Sequence, residues 1–136
     1  MHTKLVTLSG IQYDEPALEV HLRTELGYMV VLPGHEPISA MTEPGPVKIV
    51  SENGEETIFA SYGGLFEVTN NTVRILLDEA DHATDLIEAD VQEALAAAKV
   101  LKAKAKDQKE FDEAQKLIDR QAVRLEVSRI RRRPRG

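Results

Sequence analysis

Thr84-Asp85-Leu86-Ile87-Glu88-Ala89-Asp90-Val91 opens a run with no Gly or Pro before Pro134. Within it Ile87, Val91, Ala94, Ala98, Leu101 and Ala105 recur at intervals of 4, 3, 4, 3 and 4. That spacing lays a heptad-like apolar seam along one helix face. Asp85 with Glu88 has the spacing of a capping box, with Asp in place of the usual Ser or Thr. Asp107 with Glu110 repeats the signature and starts a second helix, whose face is Phe111, Ala114, Ile118, Ala122 and Leu125. The connector at 104–109 is short and polar, so the two helices should run antiparallel. The reading predicts a hairpin domain over 84–136, with helices over about 85–105 and 108–130. Its first helix is rich in Ala, which favours helix but buries little area. Such a hairpin forms readily and holds weakly, so it should be able to move relative to the rest of the chain.

Before residue 84 the period is two. Leu18, Val20 and Leu22 alternate with Glu19, His21 and Arg23, the mark of a strand with one buried face. Similar short apolar segments lie at 5–8, 47–50, 57–60, 65–69 and 73–77. Asn53-Gly54 and Asn70-Asn71 suit hairpin tips because these residues tolerate positive φ, and Pro33-Gly34 and Pro44-Gly45-Pro46 punctuate the earlier part. Short strands and turns at this spacing point to a β sandwich or barrel over 1–83.

Composition narrows the function. The chain of 136 residues has no Cys, which excludes disulfides and thiolate metal sites. The core must be aliphatic, because aromatics are only 4% and Trp is absent. No apolar run reaches the length of a membrane span, and the first residues lack the apolar stretch of a signal peptide. These features are read as those of a cytoplasmic protein, and the lack of a transit peptide favours a bacterium. There is no phosphate-binding loop, nucleophile elbow, zinc-protease or dinucleotide fingerprint, and His2, His21, His35 and His82 have no ligand spacing. The expectation is a non-enzyme with no cofactor and no metal. Residues 1–83 carry 4 Lys and Arg against 13 Asp and Glu, a net charge of −9, whereas residues 84–136 carry 13 against 10, a net +3. An acidic front and a basic tail suit two surfaces with different partners.

Three segments in order carry a likeness. They are Thr24-Glu25-Leu26-Gly27 with Val31-Leu32-Pro33-Gly34-His35-Glu36-Pro37, then Tyr62-Gly63-Gly64-Leu65-Phe66-Glu67-Val68 with Asn71-Thr72-Val73-Arg74-Ile75-Leu76, and Asp119-Arg120-Gln121-Ala122-Val123-Arg124-Leu125-Glu126-Val127. Together, with Val6-Thr7, Gly10 and Tyr13 in the same frame, they make the chain resemble the epsilon subunit of F-type ATP synthases. The resemblance implies an antiparallel sandwich of about ten strands followed by an antiparallel two-helix hairpin. It implies a noncatalytic rotor subunit in the central stalk, bound to gamma and to the ring of c subunits, peripheral on the cytoplasmic face of the bacterial cell membrane. It also implies a hairpin that can extend to the alpha/beta catalytic head and restrain ATP hydrolysis.

The resemblance selects site residues and exposes departures. Where the family has an acidic residue in the ring-facing loop, this chain has Tyr28, and the second Gly of that loop is Val30. Glu25 is close enough to stand in for the acid. The run Tyr28–Leu32 reads either as a buried strand or as an apolar ring contact. His35 reads as a gamma or ring contact, or as a loop His bonded to local backbone. Gly63 and Gly64 read as permitting a bulge or positive φ, against a reading as a direct binding element. Arg120 and Arg124, four apart on one helix face, and Arg129 are the candidates for contact with the head, against a reading as a solvated face. Where some members bind ATP, this chain has Leu86-Ile87-Glu88-Ala89-Asp90-Val91, with Asp90 in place of a phosphate-facing Arg; no ATP binding is expected there.

The alternative is a nucleic-acid-binding or regulatory adaptor that uses the Arg-rich helix end, Arg129 with Arg131, Arg132, Arg133 and Arg135. The net charge of −6 opposes it, and the leading reading has no nucleic-acid partner.

Overall fold

The computed structural model describes residues 1–132, with Arg131 and Arg132 described by their backbone alone. Arg133 and Arg135 lie outside the described residues. Nine strands come first: β1 (His2–Thr7), β2 (Gly10–Thr24), β3 (Gly27–Val31), β4 (Ile38–Thr42), β5 (Gly45–Ser51), β6 (Glu56–Ser61), β7 (Gly64–Thr69), β8 (Thr72–Leu77) and β9 (Ala80–His82). A 3-10 turn, Ala83–Asp85, leads to α1 (Glu88–Ala103) and α2 (Gln108–Arg132).

The strands form a sandwich. One layer runs β1-β8-β7-β4 and the other β3-β2-β5-β6-β9. The long strand β2 serves both, pairing through residues 10–16 with β1 and through its second half with β3 and β5. It changes layer at an irregularity between Ala17 and Glu19, beside Pro16, which has no N–H to give to a ladder. Because β2 does double service, nine described strands are enough where about ten were expected. One pairing, β1 with β8, is parallel, so the sandwich is not wholly antiparallel.

The irregularity also corrects the alternation read in β2. Val20 and Leu22 are fully buried, but Leu18 is exposed and Ala17 takes the inward position. One extra residue flips every side chain beyond it to the other face. Inside, Leu5, Val20, Leu22, Ile49, Phe59, Phe66 and Ile75 pack in one aliphatic-rich cluster, each fully buried. Between β7 and β8, Asn70 and Asn71 both take positive φ, 47° and 59°, the backbone of a two-residue hairpin turn.

The hairpin departs from expectation at its start. Asp85 lies in the 3-10 turn, and the residue that caps α1 is Ile87, which makes no side-chain capping bond. At the second helix the expected cap is present: Asp107 accepts from the Glu110 N–H at 2.8 Å, and Glu110 accepts from the Lys106 N–H at 2.8 Å. The predicted seam is only part of what is buried. Val91 and Ala98 are covered, but Ile87 and Leu101 are exposed, as is Ala122 on α2. The reason is that α2 has two neighbours. It packs against α1 and also lays Val123 and Val127 on the sandwich, so its buried arc is wider than one seam.

Candidate functional site

The seat of the hairpin is the outer face of β6. Ile58, Ala60 and Tyr62 point out of the sandwich, and with Ala83 and Leu86 they enclose Val123 and Val127. Around this apolar patch the cations of α2 meet carboxylates of the sandwich. The Arg124 Nε–H points at the Tyr62 hydroxyl (2.7 Å) and at an Asp81 carboxylate oxygen (3.0 Å), and the Tyr62 hydroxyl donates to Asp81. One turn earlier Arg120 pairs with Glu79 and lies over the Tyr62 ring, 4.5 Å from its centre. Arg124 approaches the same ring at 5.6 Å. Toward the helix end Arg23 pairs with Glu126 at 2.6 Å, and Arg129 reaches back to Glu88 of α1 at 3.1 Å.

The electrostatics suit a closed node. Burial first, and then the hydrogen bond to Asp81, push the Tyr62 phenol well above its ordinary value of 10.0. Burial alone would lower Arg124, but the hydrogen bonds and charges of Tyr62 and Asp81 outweigh it and hold the guanidinium above its ordinary range. Both groups therefore keep their neutral-pH form in the docked state.

Arg120, Arg124 and Arg129, selected from sequence as contacts to an outside body, are thus all engaged within the chain. Their partners Glu79, Asp81 and Tyr62 were not foreseen. Tyr62 opens the segment Tyr62–Val68 that carries the family likeness, but nothing in the sequence brings it within reach of a residue 62 positions away.

Tyr28 lies on β3 and Glu25 in the turn before it, whereas His35 follows β3 in a loop tied to the β7–β8 turn, where the Gly34 N–H donates to Asn71 Oδ1 at 3.1 Å. Glu25 is in the turn between β2 and β3, where its carboxylate accepts from the Met41 N–H at 3.1 Å. Tyr28 is 66% exposed on β3, and its hydroxyl lies 2.8 Å from His21 Nδ1. Tyr28–Leu32 is therefore not a buried strand: Val31 is buried and Met29 half-buried, while Tyr28, Val30 and Leu32 face outward. His35 makes local backbone bonds, its N–H to Leu32 O at 3.1 Å and its Nδ1 to Glu36 O at 2.7 Å. Gly63 has φ +117°. Gly64 serves a close approach, since a Cβ there would lie 2.1 Å from Leu76 O.

The other outer face is uncovered. Register places Met41 beside Leu65, Leu65 beside Leu76, Leu76 beside Val6 and Val6 beside Ile11. This apolar row crosses five strands, or about 19 Å at the usual strand spacing. Met41, Leu65, Leu76 and Ile11 are 37–57% exposed. The neighbouring row, Glu67, Arg74, Lys4 and Asp14, is charged. Among the described residues no group of three or more His, Cys, Asp or Glu could hold a metal ion, and no helix is long and apolar enough to cross a membrane.

Comparison with known proteins places this architecture. A chain of the Euglena gracilis mitochondrial ATP synthase, seen by cryo-EM with OSCP, F1 and the c-ring in rotational state 1, superposes with a TM-score of 0.78 at 22% identity, covering 88% of this chain and 75% of that one. A chain of the Tetrahymena thermophila mitochondrial ATP synthase central stalk and c-ring gives a TM-score of 0.61 at 16% identity, covering 94% and 96%. At these identities the likeness is one of fold. The family model described as ATP synthase, Delta/Epsilon chain, beta-sandwich domain matches residues 1–83, more than half of the sequence. The chain belongs to the ATP synthase delta/epsilon chain family, the noncatalytic stalk subunits of that enzyme.

Proposed function

We propose that this subunit couples the ring of c subunits to gamma in the rotor of a bacterial proton-translocating ATP synthase, at the cytoplasmic face of the cell membrane, and that its hairpin can leave the sandwich to restrain ATP hydrolysis. Support for the first part comes from family membership and from the two solved structures, whose descriptions name the c-ring. An uncovered apolar row on one face and the exposed Glu25 and Tyr28 beside β3 give the sandwich surfaces for two partners.

The observation that carries the second part is the seating of α2. Arg120 and Arg124 are held on the sandwich by Glu79 and Asp81, both partly open to solvent, while Arg129 is held within the hairpin by Glu88 of α1. Ion pairs of this kind contribute only about 0.2–1 kcal/mol each. An acidic surface on the catalytic head offers Arg120 and Arg124 the same chemistry, so docking on the sandwich and contact with the head compete for these two guanidiniums.

The test mixes the chain, and a version ending at Ala83, with the gamma-containing catalytic head of its own organism. Co-elution of both, with only the full chain slowing ATP hydrolysis, is the expected result. Co-elution without slowing would leave a coupling subunit and remove the brake. Failure to co-elute would remove the stalk reading.

A further inference from the structure

We propose that β3 is an open sheet edge that takes up an extended segment of a neighbouring stalk subunit as an added strand. The inference rests on the stalk reading above and names how one partner is held.

β3 pairs with β2 on one side, and among the described residues no strand pairs with its other side. Register tells which backbone groups are open. Thr24 and Gly27 close the two-residue turn, so they form a hydrogen-bonded pair, and so do Leu22 with Met29 and Val20 with Val31. The alternate residues Tyr28 and Val30 sit opposite Arg23 and His21 in non-bonded pairs. Their N–H and C=O groups therefore point away from β2 into open space.

Proteins usually blunt such an edge with Lys, Pro, a bulge or an extremely short strand. The opposite edge of this layer is managed in that way: β9 has three residues, with Asp81 at their centre. β3 has none of these devices. Its residues are Gly27, Tyr28, Met29, Val30 and Val31, aromatic and β-branched side chains suited to a ladder. Tyr28, Val30 and Leu32 alternate on the outer face, 66%, 36% and 50% exposed. An incoming strand would complete the ladder and set its own outward side chains beside these three.

The ends of the edge define the segment. Glu25 precedes it and Glu36 follows it, both exposed. A fitting occupant is about five residues long, uncharged and β-prone along its length, with basic residues at its ends. A second copy of this chain fits worse, because two sandwiches of net charge −9 would meet edge to edge. Tyr28 lies on this edge and Glu25 in the turn before it, so strand addition gives these two residues a concrete mode of contact.

Amide exchange reads the proposal directly. The full chain is studied alone and bound to the gamma-containing head and c-ring, with mass-spectrometric readout on fragments spanning residues 26–32. Val30→Pro and Tyr28→Lys are assembled in parallel, with thermal melts of the free variants as the control for folding. The expected result is at least tenfold slower exchange at Tyr28 and Val30 in the complex, and at least tenfold weaker assembly of whichever variant melts normally. If the complex forms but these amides exchange as fast as in the free chain, strand addition is wrong and the stalk reading stands. If the free chain dimerises and the same amides become protected, the occupant is a second copy and the proposal fails. If the unaltered chain does not assemble, the stalk reading fails and takes this inference with it.

Discussion

The Arg124 Nε–H donates to the Tyr62 hydroxyl at 2.7 Å, joining the last helix to the rim of β6 across 62 residues of chain. The same hydroxyl donates its own proton to Asp81. The phenol is thus a relay between a cation and an anion that also touch each other directly, at 3.0 Å. Each of the three groups satisfies the other two.

Removing the relay tests how much it holds. Tyr62→Phe keeps the ring beneath Arg120 and deletes both hydrogen bonds. With the site half-buried, docking should weaken by about 1–2 kcal/mol. The hairpin should be cut faster by a protease in native buffer, while the sandwich keeps its melting temperature.

Charge variants on the two sides of the seat should act in opposite directions on the enzyme. Glu79→Gln with Asp81→Asn frees Arg120 and Arg124 and moves the hairpin toward its released form. Inhibition of ATP hydrolysis should rise, by roughly fivefold in released population for each 1 kcal/mol lost. Arg120→Ala with Arg124→Ala also undocks the hairpin but deletes the cations proposed to contact the head, so inhibition should fall. Equal effects of the two pairs on hydrolysis would rule out a shared set of contacts.

Alkali should open the seat. Tyr62 has a folded-state pKa above its unfolded value of 10.0, so the neutral phenol is favoured by docking. The stabilisation linked to it is complete below about pH 10 and is lost as pH rises further toward the folded value. Hairpin protection should be flat from neutrality to about pH 10 and decline above it, and Tyr62→Phe should remove that decline.

Gly64→Ala addresses the sandwich itself. The added Cβ would lie 2.1 Å from Leu76 O and 2.9 Å from Leu77 Cα, both backbone atoms of the paired strand. Neither can turn away, so β7 and β8 must part. A loss of about 3 kcal/mol or more in chemical denaturation is expected.

ATP should produce no heat on titration into the free chain. The segment 86–91 that would carry the site presents Asp90 on the first turn of α1, and Glu88 is engaged by Arg129. A phosphate chain would meet negative charge there. Binding at micromolar affinity would overturn this expectation.

The layers and the hairpin were legible because their signals are local. Period two marked the strands, the two asparagines at 70 and 71 marked a turn that needs positive φ twice, and Asp107 with Glu110 marked a cap that the structure contains. Leu18 was misread because a bulge changes phase without changing composition. Asp85 was misread because a carboxylate three residues before Glu88 has the spacing of a cap whether or not the backbone turns there. The three arginines were found as residues and missed as contacts. Pairing Arg120 with Glu79, or Arg124 with Tyr62, depends on where a helix lands on a sheet, and no periodicity encodes that.

The passage of β2 through both layers has a mechanical meaning. A strand of 15 residues, about 50 Å long at the usual rise, ties two sheets that are otherwise joined by their packing and by the short connections that cross between them. Shear between the layers would have to stretch covalent chain. The hairpin, by contrast, hangs from the two residues between the 3-10 turn and α1, Leu86 and Ile87. Torque applied at one face of such a body reaches the other with little elastic loss, and the proposed release of the hairpin would turn about these two residues without softening the block that carries the load.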